Sequence, residues 1–173
     1  MIVSDRFEFV YIAIPRTASK SMCQFLREHY GGRDVDGYHD CTVRNEHQGY
    51  LIFTVVRNPY GRALSRYFKL KAQPELDYLT HEGTMVAPMT QCDYVYTAGV
   101  ELCLRFEDLP ECVKLLPFVG NNPPPFPHLP EFIRRPKGTF HDLFTPEDEA
   151  YIWERQQSDF LNFGYKRQRI VDG

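Results

Sequence analysis

The sequence predicts an α/β fold, a central parallel sheet with helices on its faces, in a single domain over residues 1–173. Three observations predict it. Short runs rich in β-branched and aromatic residues recur at 8–14 (EFVYIAI), 50–56 (YLIFTVV) and 100–106 (VELCLRF). Apolar residues at helical spacing follow the first two. Proline or glycine marks most of the joints.

Taken in order, the first run is bounded by Pro15 and reads as a buried strand. Met22, Phe25, Leu26 and Tyr30 then fall on one helix face, which Gly31-Gly32 stops. Residues 33–49 are polar and irregular. After the second strand, Pro59 suits the first turn of a helix, where its missing N–H is no loss. That helix continues through Leu64 and Phe68. The signal over 73–90 is weak, with a short helix around 90–98. The third strand precedes PECVKLLPFV (110–119), which reads as a helix, and NNPPPFPHLPEF (121–132), which reads as a stiff extended segment. The last helix has Thr145 as N-cap, Pro146 at its first position, and Glu147 and Asp148 in its positive first turn. It runs to about Asn162, before Gly164.

Composition narrows the function. A net charge of −3 argues against attraction of the whole molecule to nucleic acid or an anionic membrane, so any anion site must be local. Five cysteines at irregular spacing, with no CxxC pair, fit neither a disulfide framework nor a zinc site; reduced thiols in a cytoplasmic protein are expected. Asp5, Arg6 and Glu8 precede the first apolar run, unlike a signal peptide. No apolar run is long enough for a membrane span.

The chemistry concentrates in residues 16–21. Arg16 and Lys20 are cations, Thr17, Ser19 and Ser21 carry hydroxyls, and no acid interrupts them. A tight loop between a strand and a helix is the architecture of a phosphate-binding turn, although this stretch alone reads equally as a polar turn. The nucleoside-triphosphate version needs GxxxxGK[ST], and this loop has no glycine. The second strand repeats the logic: Arg57 stands at its carboxyl end, where ligands of open α/β sheets bind, Pro59 opens a helix, and Ser65 follows eight residues after the arginine. Two basic junctions suggest a ligand with two separated anionic groups.

IPRTASKSM resembles the 5′-phosphosulfate loop of the sulfotransferases, and VVRNPYGRALSRYF resembles their 3′-phosphate motif. LRFEDLPE (104–111) and FTPEDEAYIWERQQSDFLNFGYKR (144–167) are similar to the strand-plus-acid segment and closing helix of the carbohydrate-type members and their small bacterial and viral relatives. The resemblance implies a P-loop-like three-layer sulfotransferase fold. It implies the donor 3′-phosphoadenosine 5′-phosphosulfate (PAPS), the product 3′-phosphoadenosine 5′-phosphate (PAP), and no metal. Arg16, Thr17, Ala18, Ser19, Lys20, Ser21 and Met22 would hold the phosphosulfate; Arg57 and Ser65 would hold the 3′-phosphate. The family usually has lysine where this chain has Arg16, and a small hydroxyl residue where it has Lys20, so Lys20 is a candidate for the displaced ammonium.

The implied reaction is in-line transfer of a sulfuryl group to an acceptor hydroxyl, of a sugar or glycan, assisted by a base. By position between the motifs, and by the resemblance to a family that often carries a histidine shortly before the second strand, His39 is the candidate base, with Asp40, Glu46 and His47 behind it. Phe126, His128, Phe132, Arg134, Arg135, Lys137 and residues 73–90 are candidate acceptor walls. Glu107 is expected to cap a helix or to pair with Arg57 or Arg62. Two alternatives remain: a PAPS- or PAP-binding protein of the same fold without turnover, and a nucleotide kinase, which the missing glycines disfavour.

Overall fold

A computed structural model describes residues 1–72, 83, 85–127 and 138–170. The chain divides into two compact units, Met1–Arg57 with Asp93–Pro130, and Asn58–Cys92 with Glu131–Gly173.

The first unit holds β1 (Ile2–Ser4), β2 (Phe9–Ile12), α1 (Ser19–His29), β3 (Arg33–Asp34), β4 (Leu51–Val56) and β5 (Leu102–Arg105). The strands form one sheet in the order β3-β1-β2-β4-β5. The sheet is mixed, which corrects the all-parallel expectation. β2, β4 and β5 are parallel, but β1 runs antiparallel to both β2 and β3. The reason is the length of the connection: only residues 5–8 link β1 to β2, enough for a hairpin and far too few for a crossover. Three anticipated strands are present, each a little shorter than its apolar run.

Along the parallel strands Ile12 lies opposite Thr54, and Val56 opposite Arg105. The carboxyl ends therefore share one edge, and the chain leaving each strand there carries residues 13–18, Arg57 and Phe106. Thr54 Oγ1 reinforces that edge by donating to the Ile12 carbonyl at 2.7 Å.

α1 turns Met22, Cys23, Phe25 and Leu26 into a core shared with Phe9, Tyr11, Phe53 and Leu104. Phe118 stacks on Phe9 at 4.5 Å, and Phe126 packs on Phe25 at 5.3 Å. Burying each such side chain contributes about 1.5–3 kcal/mol. Gly31 (φ +61°) and Gly32 end the helix as anticipated, and a Cβ on Gly32 would sit 2.6 Å from the Ile2 side chain. The 110–119 segment is not the helix its apolar pattern suggested. It forms a 3₁₀ turn, Glu111–Leu115, bracketed by Pro110 and Pro117, which leave too few residues for a longer helix.

The second unit holds α2 (Pro59–Lys71), α4 (Phe140–Leu143), α5 (Pro146–Arg155) and α6 (Gln157–Asn162), while α3 (Gln91–Ala98) starts in this unit and ends in the first. Its core is Tyr60, Ala63, Met85, Phe140, Phe144, Ile152, Phe160 and Tyr165. Thr145 is the N-cap of α5, as the sequence indicated, and forms a capping box with Asp148, but the anticipated single last helix breaks at Gln156 into α5 and α6. Buried Asp159 on α6 accepts from the Gln91 and Cys92 N–H groups at 2.9 and 2.8 Å and so caps α3; Arg62 lies 3.8 Å from the same carboxylate. Arg62 thus lies beside the acid of the closing helix. Among the described residues no helix is long and apolar enough to cross a membrane.

Candidate anion-binding site

The turn from β2 into α1 has an unusual backbone. Arg16 (φ +72°) and Ala18 (φ +63°) are both left-handed, although neither is glycine. Side-chain-to-backbone bonds hold this shape. The hydroxyls of Thr17 and Ser19 both donate to the Ile14 carbonyl, Thr17 at 2.9 Å, and both residues are buried. Their protons brace the turn from within.

Ala18 is the N-cap of α1 and offers no side-chain cap. The first intrahelical bond runs from Met22 N to Ala18 O at 3.0 Å. The N–H groups of Ser19, Lys20 and Ser21 precede it and have no intrahelical acceptor. Left-handed backbone at Arg16 and Ala18 directly precedes these donors, and the helix dipole adds positive potential there, the features of an anion-binding nest. Lys20 is exposed on this first turn, Ser21 is half-buried, and Arg16 is half-buried in the turn itself. Met22 is set apart: its side chain is fully buried in the core and its N–H is taken.

Arg57 comes to the same turn. Its Nη1 donates to the Arg16 carbonyl at 3.2 Å, and its guanidinium lies over the Phe106 ring at 3.9 Å. Phe106 escaped the sequence reading; its signal was the aromatic just past the third strand, at the carboxyl edge where ligand groups gather. Glu107 is exposed in the 3₁₀ turn Phe106–Asp108. Ser65 belongs to the second unit, where it is buried on α2.

His39 also meets the turn. Its Nδ1 contacts the Ala13 carbonyl at 2.5 Å, and its ring packs edge-on against Tyr38 at 4.6 Å. A carbonyl only accepts, so Nδ1 carries the proton and Nε2 the lone pair. The Ala13 carbonyl is a second feature that sequence could not reveal, since any residue supplies it. The remaining base candidates fare differently. His47 is buried in the 3₁₀ turn Asn45–His47, with Tyr50 packed on its ring. Asp40 accepts from the Thr42 N–H, which holds its carboxyl below the usual range, and Glu46 is exposed beside Arg44.

Beneath the turn, burial pushes the Tyr11 hydroxyl well above its usual range, and it raises the Tyr38 hydroxyl and the Cys23 thiol as well. These groups stay neutral. The turn itself carries the Arg16 guanidinium and the Lys20 ammonium, Arg57 reaches it, and residues 15–22 contain no carboxylate. That donor set fits an oxyanion of phosphate or sulfate type.

Of the candidate acceptor walls, Phe126 is packed into the first unit's core. His128, Phe132, Arg134, Arg135 and Lys137, and most of 73–90, lie outside the described residues. Comparison with family models, with curated proteins and with solved structures finds no match to this chain.

Proposed function

We propose that the chain is a sulfotransferase that moves a sulfuryl group from PAPS to an acceptor hydroxyl of a sugar or glycan. The observation that carries this reading is the turn itself: a glycine-free loop, left-handed at Arg16 and Ala18, that opens an uncapped helix and receives Arg57 and His39 at its rim. The resemblance of IPRTASKSM and VVRNPY to the two nucleotide motifs supports it independently.

In this reading the Ser19–Ser21 N–H groups, Arg16 and Lys20 would hold the phosphosulfate, and Arg57 would hold the 3′-phosphate. When bound, the donor supplies a sulfuryl group on a phosphate leaving group. The residues of the chain do the rest. Arg16 and Lys20 set fixed positive charge against the leaving oxygen in a preorganised site. His39 is oriented by the Ala13 carbonyl, and its Nε2 takes the acceptor's proton.

The test is a transfer assay with labelled PAPS over a panel of hydroxyl acceptors, alongside thermal unfolding with PAP and with adenosine 5′-phosphate. PAP at a hundred times its dissociation constant should stabilise the fold by about 2.7 kcal/mol, and adenosine 5′-phosphate by clearly less at equal concentration. Equal shifts would sink the two-anion reading; PAP binding without transfer to any acceptor would leave a binding protein.

A further inference from the structure

A groove of about 580 Å³ runs along the outer face of α1, lined by Lys20, Gln24, Arg27, Glu28 and Tyr38. The four helical residues stand at i, i+4, i+7 and i+8, a single stripe about 12 Å long at 1.5 Å per residue. One end of the stripe is Lys20, in the first turn of α1. The Tyr38 wall is the ring neighbour of His39. An occupant of the groove therefore touches the cation of the anion site and lies beside the candidate base.

The lining has a definite chemistry. The Tyr38 hydroxyl is enclosed beside the Cys23 thiol, so the surface that Tyr38 offers the groove is its ring. An aromatic ring of this kind packs on the apolar C–H face of a sugar. Along the stripe, Gln24 Nε2 donates to Glu28 Oε1 at 2.8 Å, and Arg27 makes paired bonds to Asp34 at 2.8 and 2.5 Å. Amide, carboxylate and guanidinium groups held this way present donors and acceptors side by side, as neighbouring hydroxyls require. With Lys20 assigned to the donor's anion, Arg27 and Glu28 cancel, so the rest of the lining carries no net charge and offers an acidic acceptor no counter-charge.

We infer that this groove is the acceptor subsite and that it takes a neutral saccharide, laid along α1 with its reacting hydroxyl at the Tyr38–His39 end. The inference rests on the proposed sulfuryl transfer for its reaction, and on the lining alone for its ligand.

The test titrates the full chain, in the presence of PAP, with neutral cello-, malto- and chito-oligosaccharides, with uronate-containing oligosaccharides, and with a tyrosine peptide. Amide chemical shifts of α1 are the readout. A neutral oligosaccharide should perturb residues 20–28. Tyr38→Phe should keep this binding, and Tyr38→Ala should weaken it roughly tenfold or more, as loss of a stacking platform does. Glu28→Lys, at an exposed position that leaves the core untouched, should weaken the neutral ligand and improve the uronate one. Preference of the unmodified chain for uronate or peptide, or perturbation confined to other residues, overturns the inference, as does indifference to both Tyr38→Ala and Glu28→Lys. The two readings fail separately: PAP binding without any saccharide response refutes the groove alone. A saccharide response on α1 without PAP binding refutes the donor reading and leaves the groove standing.

Discussion

The first turns of α1 and α2 look alike in the sequence and differ in the structure. Each follows a strand, and each sits beside an arginine. At α2, Pro59 has no N–H, the Asn58 side chain accepts from Tyr60 N at 3.0 Å, and Arg62 N bonds to Asn58 O at 2.9 Å. The helix start is nearly saturated. It is further anchored by Tyr60, whose hydroxyl donates to buried Glu149 and whose ring stacks on Phe140 at 4.4 Å. At α1 the N-cap is Ala18, and the donors of Ser19, Lys20 and Ser21 stay open. One turn is closed by its own side chains, and the other has no side-chain cap. A basic strand-to-helix junction is therefore a weak signal by itself; the capping residue decides what the helix end does.

The largest expected effect tests the active side of this contrast. His39→Ala should slow transfer by roughly a hundred- to ten-thousand-fold, with PAP affinity unchanged. A variant that loses PAP binding as well would make His39 a brace of the turn. Next, Arg57→Ala should cost about 1.5–3 kcal/mol of PAP affinity, the worth of a charged hydrogen bond, and spare adenosine 5′-phosphate. Titration calorimetry with both ligands separates these outcomes.

The structural side is tested by acid. Burial alone would raise the Glu149 carboxyl, but the hydrogen bonds of Arg167 and Tyr60 outweigh it and hold the group below 4.5. A carboxyl depressed on folding adds stability that is complete above its unfolded value and is lost as pH falls through the folded one. Unfolding curves from pH 7 downward should therefore show stability falling below about pH 4.5. Glu149→Gln should be less stable by about 2 kcal/mol at pH 7 and flatter in acid. An unchanged acid slope would remove Glu149 as the anchor of α2.

The smallest effects compare the two caps directly. Asn58→Ala should destabilise by about 1 kcal/mol without changing nucleotide affinity. Ala18→Gly relieves a left-handed alanine but adds chain entropy to the unfolded state, for a net gain of about 0.5 kcal/mol. Thermal unfolding reads both, and a destabilised Ala18→Gly would show that the turn's backbone is held by more than local geometry.

Strands long enough to carry an apolar run were legible in the sequence, as were the Gly31-Gly32 stop and the Thr145 cap. β1 and β3 were not, because three residues beside the start of the chain and two exposed residues, Arg33 and Asp34, hold no period to read. Their pairing comes from the neighbouring strand. Residues 110–119 carried a helical pattern that two prolines overrode. At the site, charge was legible and direction was not. Arg16, Lys20 and Arg57 could be named from their charge at two strand-to-helix junctions, and His39 from its place between the two motifs and its likeness to the family. The Thr17 and Ser19 hydroxyls point at their own backbone, and Met22 faces the core. The partners of Arg57 and His39 are two carbonyls, of Arg16 and Ala13, and one ring, Phe106.

A phosphate loop made of glycines must give up its own freedom as it closes on an anion. Residues 15–18 contain none, and Thr17 and Ser19 already pin the turn to Ile14. For an anion bound as proposed, the mould exists before the ligand arrives. Association should then proceed at the pace of diffusional encounter rather than of loop closure, and little of the binding free energy should be offset by lost chain entropy. The heat released should follow the charges, so that added salt, more than added temperature, sets how tightly the turn holds what it binds.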